Sequence, residues 1–229
     1  MKQRLLKHLI SFSLLILIVA PWAQAQEQTA LKLSEPGKTG GLSVMEAFSH
    51  RLSTRKWADS DISTQDLSDL LWAANGINRP SSKKRTAPSA GNAQDVDIYV
   101  FTRDGIYLYD AASHALNLIT SGDHRSEIDK SRAKKSSEAS DSEIESGAPV
   151  TLLLVTDISK FPFGSEDQKL RWGAIDVGIV SQNISIFCAG EGLGTCPMAG
   201  FDEDALNTLL KLKETQKIFL RHPVGYPPD

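Results

Sequence analysis

Apolar positions change period several times along this chain, and each change marks an element. Leu67, Leu70, Leu71 and Ala74 recur at three and four residues, behind Ser63-Thr64-Gln65-Asp66 and ahead of Gly76. That spacing builds one buried helical face, the hydroxyls and acid suit the unpaired N–H groups of a helix start, and glycine suits its end. A helix is expected there, with Trp72 in the core. Asp97 to Thr102 and Ile106 to Tyr109 flank Asp104-Gly105, a strong hairpin signal, and Leu116 to Ile119 adds a third strand. Pro149 to Thr156 is almost wholly apolar, which predicts a central strand covered on both faces. From Asp167 to Glu191 the helical period returns at length. Its small residues Ala174, Gly178, Ser181, Ser185 and Ala189 either let a second helix approach or pack within one subunit. Asp176, Gln182 and Asn183 on the same helix need polar partners wherever they are buried. A shorter helix is expected from Glu203 to Leu212 with Asp202 as its N-cap, and a short amphipathic stretch begins near Ser43. The order of elements is α+β.

Composition adds bounds. With 229 residues, 41% hydrophobic, the chain can bury one substantial core, and a net charge of -3 argues against a nucleic-acid partner. Lys83-Lys84-Arg85 and Arg132 to Lys135 read as solvated loop faces, and Gly122 to Gly147 as a helix start followed by a mobile polar segment. Lys2, Arg4 and Lys7 precede the apolar run Leu9 to Ala20 and the small-x-small triplet Ala23-Gln24-Ala25. That is the layout of a secretion signal cleaved after Ala25, which predicts a signal at 1–25, a flexible segment at 26–42 and a domain at 43–229, exported to the periplasm or another extracytoplasmic space with no stable membrane insertion. Retention of the run as an anchor is the competing expectation. Cys188 and Cys196 are expected as buried free thiols, with pairing the alternative under oxidising conditions.

Three segments carry candidate chemistry. In Arg51-Leu52-Ser53-Thr54-Arg55, an extended backbone points Arg51, Ser53 and Arg55 to one side, an array that fits a phosphate; a solvated basic turn is the plain alternative. Arg85 to Gln94, containing Pro88-Ser89-Ala90-Gly91-Asn92, is a small, polar loop before a strand. Gly192 to Asp202, containing Pro197-Met198-Ala199-Gly200, joins two helices through residues that leave backbone N–H groups uncovered, suited to an electron-rich ligand edge. No metal-ligand spacing or nucleophile motif occurs. His50, His114, His124 and His222 are scattered and read as surface or loop residues.

Together, in order and spacing, the three segments resemble the nitroreductase family of flavoproteins, and the resemblance runs from about Ser43 to the C-terminus. Leu70 to Ile77, Ala87 to Gly91, Gly105 to Asp110 and Pro223 to Pro227 are most similar to the azoline-dehydrogenase branch. The resemblance implies a central, mostly antiparallel sheet flanked by helices, a homodimer with FMN at the subunit interface, and ping-pong hydride transfer through flavin N5 between a small-molecule donor and acceptor. Arg51, Ser53 and Arg55 would hold the phosphate and ribityl chain, Pro88 to Asn92 would lie against the flavin, and Pro197 to Gly200 would lie beneath it with the Ala199 and Gly200 N–H groups near N5. A positive group near N1 would come from Arg85 or Arg171. Two departures stand out. The chain stops at Asp229 where many members continue with basic residues, and Lys169-Leu170-Arg171-Trp172 does not reproduce the Lys-Tyr pair of azoline-oxidising members. Asp110 to Leu116 faintly resembles a covalent flavin-attachment motif but lacks the acceptor threonine, so a hairpin turn is expected there. A binding protein of the same fold without turnover is the alternative function, and a structural dimer without cofactor a third.

Overall fold

The computed structural model describes residues 30–128 and 147–228. Seven strands form one antiparallel sheet in the order β1-β6-β5-β4-β7-β9-β8. They are β1 (Leu31–Lys32), β4 (Val96–Phe101), β5 (Gly105–Asp110), β6 (Ala115–Ser121), β7 (Val150–Asp157), β8 (Gly194–Thr195) and β9 (Gln216–Gly225). A separate ribbon pairs β2 (Ile77–Arg79) with β3 (Lys84–Arg85). The helices are α1 (Val44–His50), α2 (Thr64–Asn75), α3 (Glu166–Gly190) and α4 (Glu203–Leu210), and residues 125–128 are also helical.

The apolar run expected to be central is β7, and every one of its residues is buried. Strand periodicity sends Val150, Leu152 and Leu154 into a cluster with Leu70, Leu71 and Ala74 of α2 and Val177, Val180 and Ile184 of α3. Leu153 and Val155 point the other way, against Ile128 and against Leu206 and Leu210 of α4. The molecule is therefore three-layered, with one strand shared by two apolar cores. Each such side chain contributes about 1.5–3 kcal/mol by leaving water.

Helix ends follow their sequence signals. Ser63 accepts the Asp66 N–H at the start of α2, and Gly76 caps its end. Ser43 with Glu46 and Ser165 with Gln168 form reciprocal capping boxes at α1 and α3. In α3, 25 residues or roughly 37 Å long, Gly173 is the residue that permits close approach: a Cβ there would lie 2.5 Å from Thr156 Oγ1 of β7. Gly178, expected to serve that purpose, faces open space, as do the exposed Ala174 and Ile175. By length and apolarity α3 could span a bilayer, but its apolar face is packed on the sheet.

Several expectations are corrected. His222 lies fully buried on β9, where polar partners from α3 and β8 replace water. Lys84 and Arg85 form β3, and Arg85 is half-buried because its guanidinium donates to Asn75 O at the C-terminal end of α2. Trp72 is only half-buried and donates its ring N–H to Ile77 O. Within 26–42, Leu31–Lys32 pair with β6, Leu33 is buried, and Gly37 N–H donates to Asp69. Helix α4 ends at Leu210, two residues early, because Lys211 adopts a left-handed conformation. Cys188 and Cys196 are buried and unpaired, as expected. The turn after Asp110 closes as a hairpin, its carboxylate accepting from Ala112 N–H and Ser113 Oγ. The signal at 1–25 and the basic cluster at 132–135 lie outside the described residues.

Candidate functional site

Two of the three candidate segments meet along one edge of the sheet. Arg51 closes α1 by donating its N–H to Ala47 O, and the chain then runs extended beside β8. Ser53 forms a parallel bridge with Thr195, and Thr54 N–H donates to Thr195 O at 2.9 Å. Thr54 turns inward onto Gly194, where a Cβ would sit 2.6 Å from the threonine methyl. With Thr54 inside, alternation sets Arg51, Ser53 and Arg55 on the outer side, and all three are exposed. Neither arginine forms an ion pair among the described residues. A cleft of about 580 Å³ lies on the other side of this strip, lined by Leu52, Thr54, His50 and Cys188.

Beyond β8 the chain is pinned to β9 by a reciprocal pair, Met198 N–H to Arg221 O at 2.9 Å and Arg221 N–H to Met198 O at 2.8 Å. Pro197, Ala199 and Gly200 are exposed and Met198 is half-buried. Among the described residues, the Ala199 and Gly200 N–H groups have no protein acceptor. Asp202 then accepts the Ala205 N–H and starts α4. This edge thus offers two guanidinium groups, a hydroxyl and two uncommitted backbone donors. Those groups fit a phosphate and the electron-rich edge of a flat ring.

Behind the edge stands a buried relay. Thr195 Oγ1 donates to Pro223 O at 2.9 Å, so it accepts from His222 Nδ1–H at 3.2 Å, and His222 Nε2 in turn accepts from Ser181 Oγ at 2.8 Å. Burial pushes the imidazole down to about 3, which keeps it neutral in this role. His222 and the buried Arg221 were not recognised as site supports, because only their tertiary partners distinguish them from a polar loop.

The third segment stands apart. Its Ala90–Asn92 turn has left-handed Gly91 (φ 59°) and Asn92 (φ 55°), and Ser89 Oγ accepts the Gln94 N–H. Arg85 braces the base, donating to Gln94 Oε1 at 3.0 Å and Asn75 O at 2.9 Å. Desolvation lowers its affinity for the proton from the ordinary arginine range. Arg85 is thus committed to the fold, while Arg171 is exposed on α3. Pro88, Gly91 and Asn92 are exposed, Ser89 and Ala90 half-buried. Ala90 N–H donates to Asp176 Oδ2 at 2.9 Å. Behind it Asp95 is fully buried, and burial, opposed by the Thr156 hydrogen bond and reinforced by Asp176, pushes its carboxyl up to about 7. The loop leads into β4 at Val96, level with Lys217 of β9, whereas the arginine strip lies beside Thr195, level with Val224, which is three strand spacings or roughly 14 Å across the sheet and seven residues or roughly 23 Å along it. Within one chain the loop does not join the other two segments.

An antiparallel sheet between helical layers is an α+β architecture, and its β8 edge exposes groups chemically suited to a phosphate. The family model described as the Nitroreductase family matches residues 49–226, and the chain belongs to that family. It is accordingly a flavin-dependent oxidoreductase. It is similar to the "Putative nitroreductase MJ1384" of Methanocaldococcus jannaschii, at 28% identity over 76% of this chain and 86% of that protein. A crystal structure from Ralstonia eutropha JMP134, described in the same terms, shares 28% identity with a TM-score of 0.76, covering 87% of this chain and 90% of the other. The fold is also that of a chain in the E. coli microcin synthetase McbBCD complex with truncated pro-MccB17 bound, with 18% identity, a TM-score of 0.66, and coverage of 92% and 84%.

Proposed function

We propose that the chain is an exported, homodimeric, FMN-dependent oxidoreductase that works by ping-pong transfer between a small-molecule donor and acceptor. The observation that carries this reading is the sheet edge on which the Arg51–Ser53–Arg55 strip is hydrogen-bonded to the strand leading into Pro197–Gly200. Arg51 and Arg55 hold the phosphate by charge-assisted hydrogen bonds, Ser53 adds a neutral partner, and the Ala199 and Gly200 amides supply donors to the ring. FMN held there by Arg51, Ser53, Arg55 and the Ala199 and Gly200 amides would supply the hydride chemistry that links the two substrates. The protein needs no acid or base of its own for that exchange, in keeping with the scattered histidines.

Two observations support the dimer. The loop at 88–92 cannot reach the β8 edge of its own chain, so a partner's copy would complete each site. Val44, Met45, Phe48 and Leu52 are also exposed along α1 and its exit, Met45 at 75%, with Ile175 of α3 exposed at 55%. Exposed apolar side chains grouped along α1 and its exit are characteristic of an interface. Export is supported by the charged start, apolar run and Ala23-Gln24-Ala25 triplet.

The deciding experiment is the visible spectrum of the purified protein before and after acid precipitation, with FMN added back. A flavin spectrum whose chromophore leaves with the supernatant is expected. A colourless protein that FMN does not reconstitute would overturn the cofactor and with it the proposed chemistry. N-terminal sequencing of extracytoplasmic material should begin at Gln26, and material found only inside the cell would overturn export.

A further inference from the structure

The turn at 88–92 hangs on a buried acid. Asp176, 3% exposed on α3, accepts the Ala90 N–H at 2.9 Å through Oδ2. Directly behind it is Asp95 at the head of β4, fully buried, with Oδ2 accepting from Thr156 Oγ1 at 2.5 Å and Oδ1 receiving no donor among the described residues. Asp176 stands one helical turn beyond Gly173, whose Cβ would lie 2.5 Å from Thr156 Oγ1, so its turn of α3 packs against the Asp95–Thr156 pair, and its charge acts on the Asp95 carboxyl. Two ionised carboxylates packed together in this buried space would offer only acceptors to each other, and a proton held between them removes that conflict. Asp176 already accepts a backbone amide, and Asp95 Oδ1 is the oxygen left without a donor.

We propose that Asp95 is a positioning residue for the Pro88–Asn92 loop, donating a carboxyl proton to Asp176 so that Asp176 is held where it accepts the Ala90 N–H. The proposal rests on the reading of that loop as part of the flavin site. The charged groups on the surrounding elements do not substitute for the proton. Asp97 on β4 is paired with Lys160 at 2.7 Å, Asp157 on β7 accepts from Ser159, and Arg85 beneath the loop is committed to Asn75 O and Gln94. Of them all, Asp176 alone acts on Asp95. Thr156 ties the pair to the central strand, so a change in the pair moves the loop against a fixed sheet. Loss of the proton would place two negative charges in one buried space and loosen Asp176 from Ala90.

The test is hydrogen exchange at the Ala90 amide of the purified chain, expressed as a protection factor, with flavin retention measured on the same samples. Protection in the wild type is expected to fall by about tenfold or more between about pH 6 and 8, as the shared proton is lost. Asp95→Asn keeps a permanent donor, so its protection and flavin retention should stay level across that range. Asp176→Ala should lose protection at every pH. If that variant does not fold, Asp176→Asn carries the test, because its carbonyl still accepts from Ala90 and its amide donates to an ionised Asp95; it too should abolish the pH dependence. A pH dependence that survives in both asparagine variants would overturn the proposal. Protection that behaves as expected while flavin retention never changes would instead overturn the placement of the loop in the flavin site and leave the pair standing.

Discussion

The Arg51–Arg55 edge is fixed by backbone pairing to β8 and β9 and leaves the Arg51, Ser53 and Arg55 side chains and two amides without hydrogen-bond partners among the described residues. The Pro88–Asn92 loop is held from beneath by side chains, through Asp176, Ser89 and Arg85, while Pro88, Gly91 and Asn92 are exposed. The first region can lose its functional side chains without losing its shape. The second closes its own turn through the Asn92 and Ala93 amides but depends on those side chains for its place on the fold. Binding groups and the supports that place them are thus separable on one side of the site and fused on the other.

The largest effect is expected where that separation is cleanest. Arg51→Ala with Arg55→Ala should weaken FMN binding by about 100-fold or more, since each charge-assisted hydrogen bond is worth roughly 1.5–3 kcal/mol, while leaving the thermal midpoint almost unchanged. Fluorescence titration of the apoprotein reads the first quantity and calorimetry the second; a lowered midpoint with intact affinity would reverse the comparison. Gly173→Ala presses a methyl onto Thr156, where α3 crosses the strand that anchors the loop's acids. It should cost about 1–3 kcal/mol in denaturant unfolding. The Asp95 carboxyl sharpens the contrast through pH. Its native pKa is raised from 3.8 to about 7, so between those values the folded state holds a proton that the unfolded chain has released. Stability should therefore decline as pH rises from about 4 to 7, by at most about 1.4 kcal/mol per pH unit, and level off above. Asp95→Asn should remove that slope in urea titrations. The smallest effect on stability is expected from Gly200→Ala, whose Cβ would meet nothing within 4 Å. Unfolding should shift by under about 0.5 kcal/mol. Any larger loss would then appear in flavin affinity, and would mean a ligand approaches that backbone closely.

Elements whose signal is local were legible. The Asp104-Gly105 turn, the Ser63 and Asp202 caps and the continuous apolar run of β7 each carry their cause within a few residues. The supports were not legible, because their cause lies elsewhere in the chain. Leu220-Arg221-His222-Pro223 has no strand alternation, yet it forms the interior of β9 since Ser181 and Thr195 satisfy the imidazole. Asp95 follows a polar loop and looks solvated until Thr156 and Asp176 close over it. Leu31–Lys32 is too short to announce a strand; β6 supplies the partner. Gly173 and Gly178 look alike in sequence, and only the position of Thr156 tells them apart.

Cys188 and Cys196 are buried and unpaired, one within the α3 core and one at the entrance to the Met198 turn. Burial also pushes the Cys188 thiol far above its ordinary range, so it stays in its unreactive form. A thiol reagent therefore reaches either sulfur only when the surrounding structure opens. The native chain carries two built-in clocks: alkylation at Cys196 times the breathing of the site edge, and alkylation at Cys188 times the widening of the cleft behind Leu52 and Thr54.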